Sequence, residues 1–166
     1  MCFVCGMLNS AGMKARFYEC TKEIDGADVE KNILLTVVQP QEIYQSYPNR
    51  MHGGIISALL DEVIGRAVQI AEPDMWGVTI DLNVKFRKPA PLDQTLYIEG
   101  KTTKVDQRTF DGEGKLFLKD GTVCATATGR YFIVSLEKAF PNSELNEKNW
   151  FQVEEEIPEF FEFRDV

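Results

Sequence analysis

The sequence has little of several things that would fix a function at once. It holds a single histidine, His52, and only four cysteines and two tryptophans among 166 residues. A single histidine excludes zinc sites built from two or three imidazoles, and no GxSxG motif accompanies it to suggest a Ser-His-Asp hydrolase. Catalysis would therefore have to rest mainly on carboxylates, amides, hydroxyls and backbone groups.

The four cysteines are too few and too scattered for the disulfide framework of a secreted domain: Cys2, Cys5, Cys20 and Cys124. The Cys2-x-x-Cys5 pair lacks the second pair that would complete a tetrahedral zinc site, so no metal is expected. Reduced thiols are typical of a cytoplasmic protein, which is the location we expect.

Long uncharged hydrophobic runs are also missing. The longest apolar stretch, residues 53–71, carries Asp61, Glu62 and Arg66, which excludes a membrane span. The first basic residue is Lys14 and no apolar segment with a cleavage site follows it, so we expect neither a signal peptide nor a membrane partner.

Positive charge is scarce, since 18 basic residues face 26 acidic ones and the net charge is −8. An acidic chain repels a phosphate backbone, so no nucleic-acid partner is expected. The charge is uneven, however: residues 137–166 contain nine acidic and three basic residues, which leaves residues 1–136 at −2. We therefore expect a single near-neutral domain over 1–136 and an acidic, aromatic extension over 137–166.

That extension allows two interpretations. Its aromatic residues, Phe160, Phe161 and Phe163, could strap across a sheet with the acids facing water, or the segment could bind a partner. Ser143 could cap a short helix that runs to about Phe151.

The pattern of the remaining chain predicts an α+β fold. Six strand-like segments are rich in β-branched and aromatic residues, at about 14–20, 33–39, 76–87, 94–104, 107–118 and 122–134. The last four read as an antiparallel meander, in which the turn at 111–114 either interrupts one strand or joins two. Between them, residues 53–71 predict a helix that is apolar over most of its circumference, so one sheet should enclose it.

The clearest strand covers Val78 to Arg87, where apolar and polar residues alternate. Alternation predicts one buried and one polar face. Thr79, Lys85 and Arg87 fall on the polar face, so a hydroxyl and two cations should share one surface.

The start of the helix carries a candidate site. Gly53 and Gly54 would leave backbone N–H groups unpaired, able to hold a carbonyl oxygen or oxyanion, or they could mark a tight packing point. Asp61 lies two turns farther on, and an enclosed carboxylate is either functional or bonded to a neighbouring strand. Glu62 should point about 100° away, to solvent or a partner helix.

Eight residues separate Gly53 from Asp61, which is roughly 12 Å along one helix. Both groups would have to lie about 3 Å from a reacting carbonyl, so one chain cannot supply both. A shared site needs a second subunit whose helix runs antiparallel, as in a two-fold dimer with two equivalent sites.

These residues resemble a known family. His52-Gly53-Gly54, Asp61-Glu62, the strand 77–84 and Arg87-Lys88-Pro89 are similar to the hotdog-fold acyl-CoA thioesterases of the PaaI-like and 4-hydroxybenzoyl-CoA thioesterase group. The N-terminal segment, from Cys2-Phe-Val-Cys5-Gly6 through Gly12 to Phe17, resembles N-termini of that group as well. The resemblance covers residues 1 to about 135. It implies an antiparallel sheet around one long helix, hydrolysis of acyl-CoA to free acid and coenzyme A without a cofactor, and a homodimer or homotetramer.

The resemblance also implies roles for single residues. The Gly53 N–H would polarise the thioester carbonyl, and Asp61 of the other subunit would act as nucleophile or general base. Thr79 would help to place the water, and His52 would orient the site. Gln45 matches a loop amide near the carbonyl, with Ser46 and Asn49 as alternatives.

Arg87, Lys88 and Arg108 could pair with the phosphates of coenzyme A, or they could be solvated basic residues. Two other functions share the scaffold: a non-catalytic acyl-CoA-binding module and an enoyl-thioester hydratase or dehydratase.

Overall fold

Six strands and one α-helix form the main elements of the described part of the chain. The computed structural model describes residues 2–24, 28–135 and 158–163. Its elements are β1 (Arg16–Ile24), β2 (Asp28–Val38), α1 (Gly53–Ala67), β3 (Trp76–Phe86), β4 (Leu96–Val105), β5 (Thr109–Phe117) and β6 (Val123–Val134).

The strands form one antiparallel sheet in the order β1-β2-β4-β5-β6-β3, and α1 packs across one face of it. This confirms the predicted α+β hotdog fold. The predicted four-strand meander is wrong in one respect, because β3 pairs with β6 and not with β4. The chain between β3 and β4 contains Pro89 and Pro91, which do not suit a tight hairpin, and it crosses to the other side of the sheet.

The helix is enclosed as its composition predicts. Leu59, Leu60, Val63 and Ile64 have no exposed surface. Helix and sheet approach closely where strand glycines face the helix: a Cβ on Gly100 would lie 2.8 Å from Val63. The α-helix ends at Ala67 and a 3-10 turn over Val68–Ile70 completes the predicted segment.

The turn predicted at 111–114 is not a turn, because β5 continues through these residues. Asp111 pairs with Arg130 of β6, and its carboxylate accepts two hydrogen bonds from that guanidinium, of 2.6 and 2.8 Å. Gly112 and Gly114 suit the strand because a Cβ at either would crowd Ile64 of the helix. The glycines are therefore packing points and not turn residues.

Strand β3 is an edge strand with an apolar surface. Val78 and Ile80 are 55% and 56% exposed, and Phe86 is 56% exposed, so the strand is not half-buried within this chain. A long edge strand with apolar side chains is a surface on which another strand can pair.

A bulge between Thr79 and Asp81 interrupts the pairing of β3 with β6. An extra residue reverses the alternation of side chains, so positions on either side of it exchange faces. Thr79 therefore faces α1, together with Leu82 and Val84, while Lys85 and Arg87 lie on the opposite face. The prediction that Thr79, Lys85 and Arg87 share a surface is wrong for this reason.

Part of the C-terminal extension crosses the sheet face opposite the helix. The ring of Phe161 lies 5.2 Å from that of Tyr18, and the ring of Phe163 lies 4.9 Å from Tyr97 and 5.0 Å from Phe117. Residues 158–163, which we call the aromatic strap, thus follow the first of the two interpretations. The helix predicted from Ser143 to about Phe151 lies outside the described residues.

None of the helices in the described ranges combines the length and the apolar character that a membrane crossing needs.

Candidate active site

The helix start is organised by His52. Its imidazole Nδ1 accepts a hydrogen bond of 2.9 Å from the Gly54 N–H, so His52 is the N-cap of α1. The prediction of two free glycine N–H groups is therefore wrong for Gly54. The Gly53 N–H has no acceptor within the described part of the chain, and it is the donor that remains at the positive end of the helix.

Gly53 lies against an aromatic ring from the edge strand. A Cβ at this position would sit 3.3 Å from Cζ of Phe86, so the two alternatives for this glycine both apply. The absence of a side chain lets the ring approach, and it also leaves the N–H uncovered. Because Phe86 is at the end of β3, the start of the helix and the end of the edge strand lie together.

One carboxylate oxygen of Asp61 accepts hydrogen bonds from side chains of the sheet. Its Oδ1 accepts a hydrogen bond of 3.0 Å from the Thr79 hydroxyl and one of 3.1 Å from the Tyr131 hydroxyl. Its Oδ2 has no partner among the residues that the structure describes. The sequence left two alternatives for this carboxylate, a bond to a neighbouring strand or a functional role. Both apply, because Oδ1 is bonded to the sheet while Oδ2 is available for chemistry.

Tyr131 is the residue that sequence reasoning missed. It is buried on β6, stacks on Phe110 with centroids 4.9 Å apart, and also bonds the Asp61 carbonyl oxygen at 3.1 Å. Burial and the nearby Asp61 carboxylate raise the pKa of Tyr131 above its ordinary value, so the hydroxyl remains a donor at physiological pH. The alternation of Gly129, Tyr131 and Ile133 on a predicted strand was the available signal, since it places Tyr131 on an inward face.

Gly53 and Asp61 both lie on α1, near opposite ends of β3: Gly53 beside Phe86 and Asp61 beside Thr79. The helix therefore runs antiparallel to β3. Eight helical residues separate the two groups by roughly 12 Å, so within one chain they do not meet at one reacting atom.

The amide side chains in the loop before the helix form hydrogen bonds that hold the loop. The Gln45 side chain accepts the Asn49 N–H at 2.9 Å through its carbonyl oxygen, which leaves its NH₂ group free among the described residues. Asn49 bonds Asp93 and the Leu92 N–H through its two amide atoms, so it fixes the loop. Ser46 donates its backbone N–H to Arg50 within the same loop.

The basic residues expected to hold phosphates are exposed and do not form one cluster. The N–H groups of Arg87 and Lys88 bond the Cys124 carbonyl at one end of β6, whereas the Arg108 carbonyl accepts the Ile133 N–H at the other end. Nine residues of strand separate these points, which is about 30 Å. One phosphate group cannot contact Arg87 and Arg108 of the same chain.

Glu62 does not reach toward solvent or a partner helix, as the sequence suggested. Its carboxylate pairs with Arg66 at 2.8 Å and accepts a contact of 3.7 Å from the Cys2 thiol. It faces the N-terminal segment of the chain, which covers this side of α1.

Comparison with known proteins found similarities to thioesterases. Residues 49–125 match the family model of the thioesterase superfamily. The chain is similar to an uncharacterized protein of Schizosaccharomyces pombe, with 36% identity over 50% of each chain. It is also similar to the human acyl-coenzyme A thioesterase THEM5, with 25% identity over 62% of this chain and 41% of that protein. The matches thus span half or less of both relatives.

Among solved structures, the fold is similar to that of the Bacillus halodurans protein BH2602 with CoA. The TM-score is 0.56 and the identity 27%, over 60% of this chain and 66% of that one. The matched family region contains α1, β3 and the Gly53, Asp61 and Thr79 positions.

Proposed function

We propose that this chain is a member of the thioesterase superfamily, whose family model matches residues 49–125, and that it hydrolyses the thioester bond of an acyl-coenzyme A. The proposal rests on two groups without partners in the described residues, the Gly53 N–H and Asp61 Oδ2, at two points of one helix. One is an oxyanion donor and the other is a base or nucleophile. The similarity to a human acyl-coenzyme A thioesterase and to a protein solved with CoA supports the substrate class.

The site would be completed by a second copy of the chain. Antiparallel pairing of two β3 edges about an axis near Leu82 would place Thr79 of one copy opposite Phe86 of the other. Because Gly53 lies beside Phe86 and Asp61 beside Thr79, the helix start of one copy would face the carboxylate of the other. The exposed Val78 and Ile80 would be covered in such a dimer.

The same pairing would bring basic residues of the two copies closer together. Arg87 and Lys88 lie at the Phe86 end of the sheet and Arg108 lies at the Trp76 end, so an antiparallel partner would bring Arg108 toward the Arg87 of the first copy. These residues remain candidates for the coenzyme A phosphates in the assembled protein, where their separation within one chain no longer applies.

The proposed reaction is a direct hydrolysis. Asp61 takes a proton from water, the hydroxide adds to the thioester carbonyl, and the oxyanion is held by the Gly53 N–H of the second copy. The C–S bond then breaks, and the coenzyme A thiolate takes the proton that Asp61 received. Thr79 and Tyr131 hold the carboxylate, and the Thr79 oxygen can accept a hydrogen bond from the water.

In the alternative route, Asp61 Oδ2 attacks the carbonyl itself and coenzyme A leaves as the thiolate. Water later cleaves the mixed anhydride by attacking the carboxyl carbon of Asp61. A single turnover in water labelled with oxygen-18 distinguishes the routes. The general-base route puts the label into the product acid in the first turnover, whereas the nucleophilic route puts an unlabelled Asp61 oxygen there.

The shared site is tested by mixing two inactive variants. Asp61→Asn removes the carboxylate, and Gly53→Pro removes the N–H at the first helical position, where proline is tolerated. His52 already has the extended backbone that precedes proline, with φ −66° and ψ 135°. Gly53→Ala keeps the N–H while placing a Cβ against Phe86, so it is the matched control for crowding.

Each variant alone should release almost no thiol from an acyl-CoA, and refolding them together should restore about a quarter of the wild-type rate. Half of the dimers would then be mixed, with one of two sites intact. No recovery in the mixture, with folded dimers present, would contradict the shared site. Acyl-CoA binding by calorimetry without thiol release from the wild type would contradict hydrolysis and indicate a binding module. A cytoplasmic location remains a prediction from the cysteine content.

A further inference from the structure

Two cysteines at the N-terminus lie on one side of a single turn. The Gly6 N–H donates to the Cys2 carbonyl at 3.0 Å, which closes a turn around the Cys2-Phe-Val-Cys5 sequence. Residues three apart in such a turn project to the same side. The two sulfur atoms and a Glu62 carboxylate oxygen all lie within 4.8 Å of one another.

The sulfur of Cys2 accepts hydrogen bonds from the chain around it. The Val4 N–H lies 3.3 Å away and the Cys5 N–H 3.5 Å away. The Cys5 thiol acts in the same direction and is the main cause that lowers the pKa of Cys2 to about 6, while the pKa of Cys5 is raised. Burial and the Glu62 carboxylate oppose the lowering of the Cys2 pKa. Of the two sulfurs, Cys2 loses its proton more readily and Cys5 keeps its proton, as in reactive Cys-x-x-Cys pairs.

A partly buried ion pair lies under the two sulfurs. Arg66 Nη2 is 3.3 Å from the Cys5 sulfur, and Arg66 Nε pairs with Glu62 at 2.8 Å. Among the described residues the cluster offers three metal ligands, one fewer than a closed zinc site. The positive charge beside the sulfurs and the carboxylate is that of the Arg66 guanidinium. The chemistry that the arrangement favours is that of thiols.

Both cysteines are partly accessible, in contrast to Cys124, which is buried. Burial raises the pKa of Cys20 and of Cys124. Reactivity within the described residues is thus concentrated at the N-terminal pair.

We propose that Cys2 and Cys5 are a redox-active dithiol, which a low-molecular-weight disulfide oxidises to an intramolecular disulfide. The Cys2 thiolate attacks one sulfur of the small disulfide, whose S–S bond breaks and releases one thiolate. The Cys5 sulfur then loses its proton to that thiolate and attacks Cys2, which releases the second small thiolate. The two protein sulfurs together lose two electrons, and one small disulfide is reduced to one thiol, which holds the Cys5 proton, and one thiolate.

The pair contacts the part of the helix that carries Asp61. Glu62 directly follows Asp61 and touches the Cys2 sulfur. On its other side the N-terminal segment is tied to Tyr44, whose hydroxyl bonds the Gly12 carbonyl at 2.8 Å and whose carbonyl receives the His52 N–H. The pair therefore belongs to a segment that contacts both ends of the candidate site.

The test uses the reduced full-length chain in buffers with different ratios of reduced and oxidised glutathione. After alkylation, peptide mass analysis should find a Cys2–Cys5 disulfide, with Cys20 and Cys124 alkylated. Cys5→Ser lacks the resolving sulfur and should instead accumulate one glutathione on Cys2, whereas Cys2→Ser should accumulate neither product. The readout is thiol chemistry, so it does not depend on whether the chain hydrolyses thioesters.

A second measurement needs no substitution. The rate of alkylation of Cys2 in the wild type should rise with pH to a plateau with a midpoint at about 6, and at pH 7 it should exceed that of Cys20 roughly 10-fold. A midpoint near 8.5, the ordinary value for a cysteine, or free Cys2 and Cys5 under excess oxidised glutathione, would overturn the proposal. Protection of both thiols by one equivalent of zinc would overturn it in favour of a metal site.

Discussion

The hydroxyl of Tyr131 donates to Asp61 Oδ1 across 3.1 Å, from the strand that pairs with the Thr79 strand. The carboxylate is thereby fixed by two donors on one oxygen, and its other oxygen points away from both. The arrangement orients Asp61 without occupying it, which is what a positioned base or nucleophile requires.

Tyr131→Phe should leave the fold intact and weaken catalysis. The ring would still stack on Phe110, so we expect a loss of stability of about 1 kcal/mol for the missing hydrogen bonds. The fall in kcat should exceed any change in KM, because Tyr131 acts through Asp61. Thr79→Val should act in the same way, and the effects of the two substitutions should not add in the double variant. Simple additivity would show that the two hydroxyls act separately.

Asp61→Asn should reduce the release of free thiol from an acyl-CoA about 100-fold or more. The amide keeps the shape of the side chain but cannot take a proton from water. Asp74→Asn, in an exposed turn after the helix, is the matched control and should retain the wild-type rate. An Asp61→Asn variant that turns over normally would exclude the carboxylate from the reaction.

The cap of α1 can be tested apart from the chemistry. His52→Ala removes the acceptor of the Gly54 N–H and should cost about 1 kcal/mol of stability. His52→Asn restores an acceptor at the same position and should recover most of that loss in urea unfolding. If both variants were equally unstable, the imidazole would contribute by packing and not as a cap.

The thiolate at Cys2 predicts a pH dependence of stability. The pKa of Cys2 is lowered from 9.0 to about 6 in the folded chain, so between these values the folded chain holds a thiolate while the unfolded chain holds a thiol. Unfolding then takes up a proton, and stability rises with pH across this window. Under reducing conditions, the difference between the urea midpoints of the wild type and of Cys2→Ser should grow in favour of the wild type from pH 6 to pH 8.5. A difference that does not change with pH would contradict the lowered pKa.

The aromatic strap should contribute to stability through Phe163, whose ring contacts Tyr97 and Phe117. Phe163→Ala should cost about 1–3 kcal/mol, the range for burial of a large apolar side chain. Phe160 is 71% exposed, so Phe160→Ala is the control and should change the midpoint of unfolding little. Equal effects of both substitutions would mean that the strap does not pack in solution as described.

Much of the fold was predictable because it depends on patterns that span many residues. The enclosed helix followed from an apolar circumference, and the strands followed from alternation and β-branched residues. The pairing of β3 with β6 did not follow. Pro89 and Pro91 argue against a tight hairpin after β3, but they do not indicate which strand β3 pairs with. The prediction of a strand break at Asp111 failed because the glycines there serve the packing of Ile64.

The candidate site was predictable in its residues and less so in its hydrogen bonds. Asp61, Gly53 and His52 stand out in sequence, because a carboxylate in an apolar helix and glycines at a helix start are unusual. The role of Tyr131 and the use of the Gly54 N–H by His52 depend on contacts between distant or flexible groups. Such contacts leave no periodic signal.

The bulge between Thr79 and Asp81 makes the site depend on the number of residues as much as on their identity. Ile80 could be replaced by many side chains without moving Thr79, because the extra backbone unit alone sets which way the hydroxyl points. Deleting any one residue from the bulge would turn Thr79 toward the sheet face opposite the helix and leave Asp61 with Tyr131 alone. Evolution along this strand should accordingly tolerate substitutions and reject single-residue deletions.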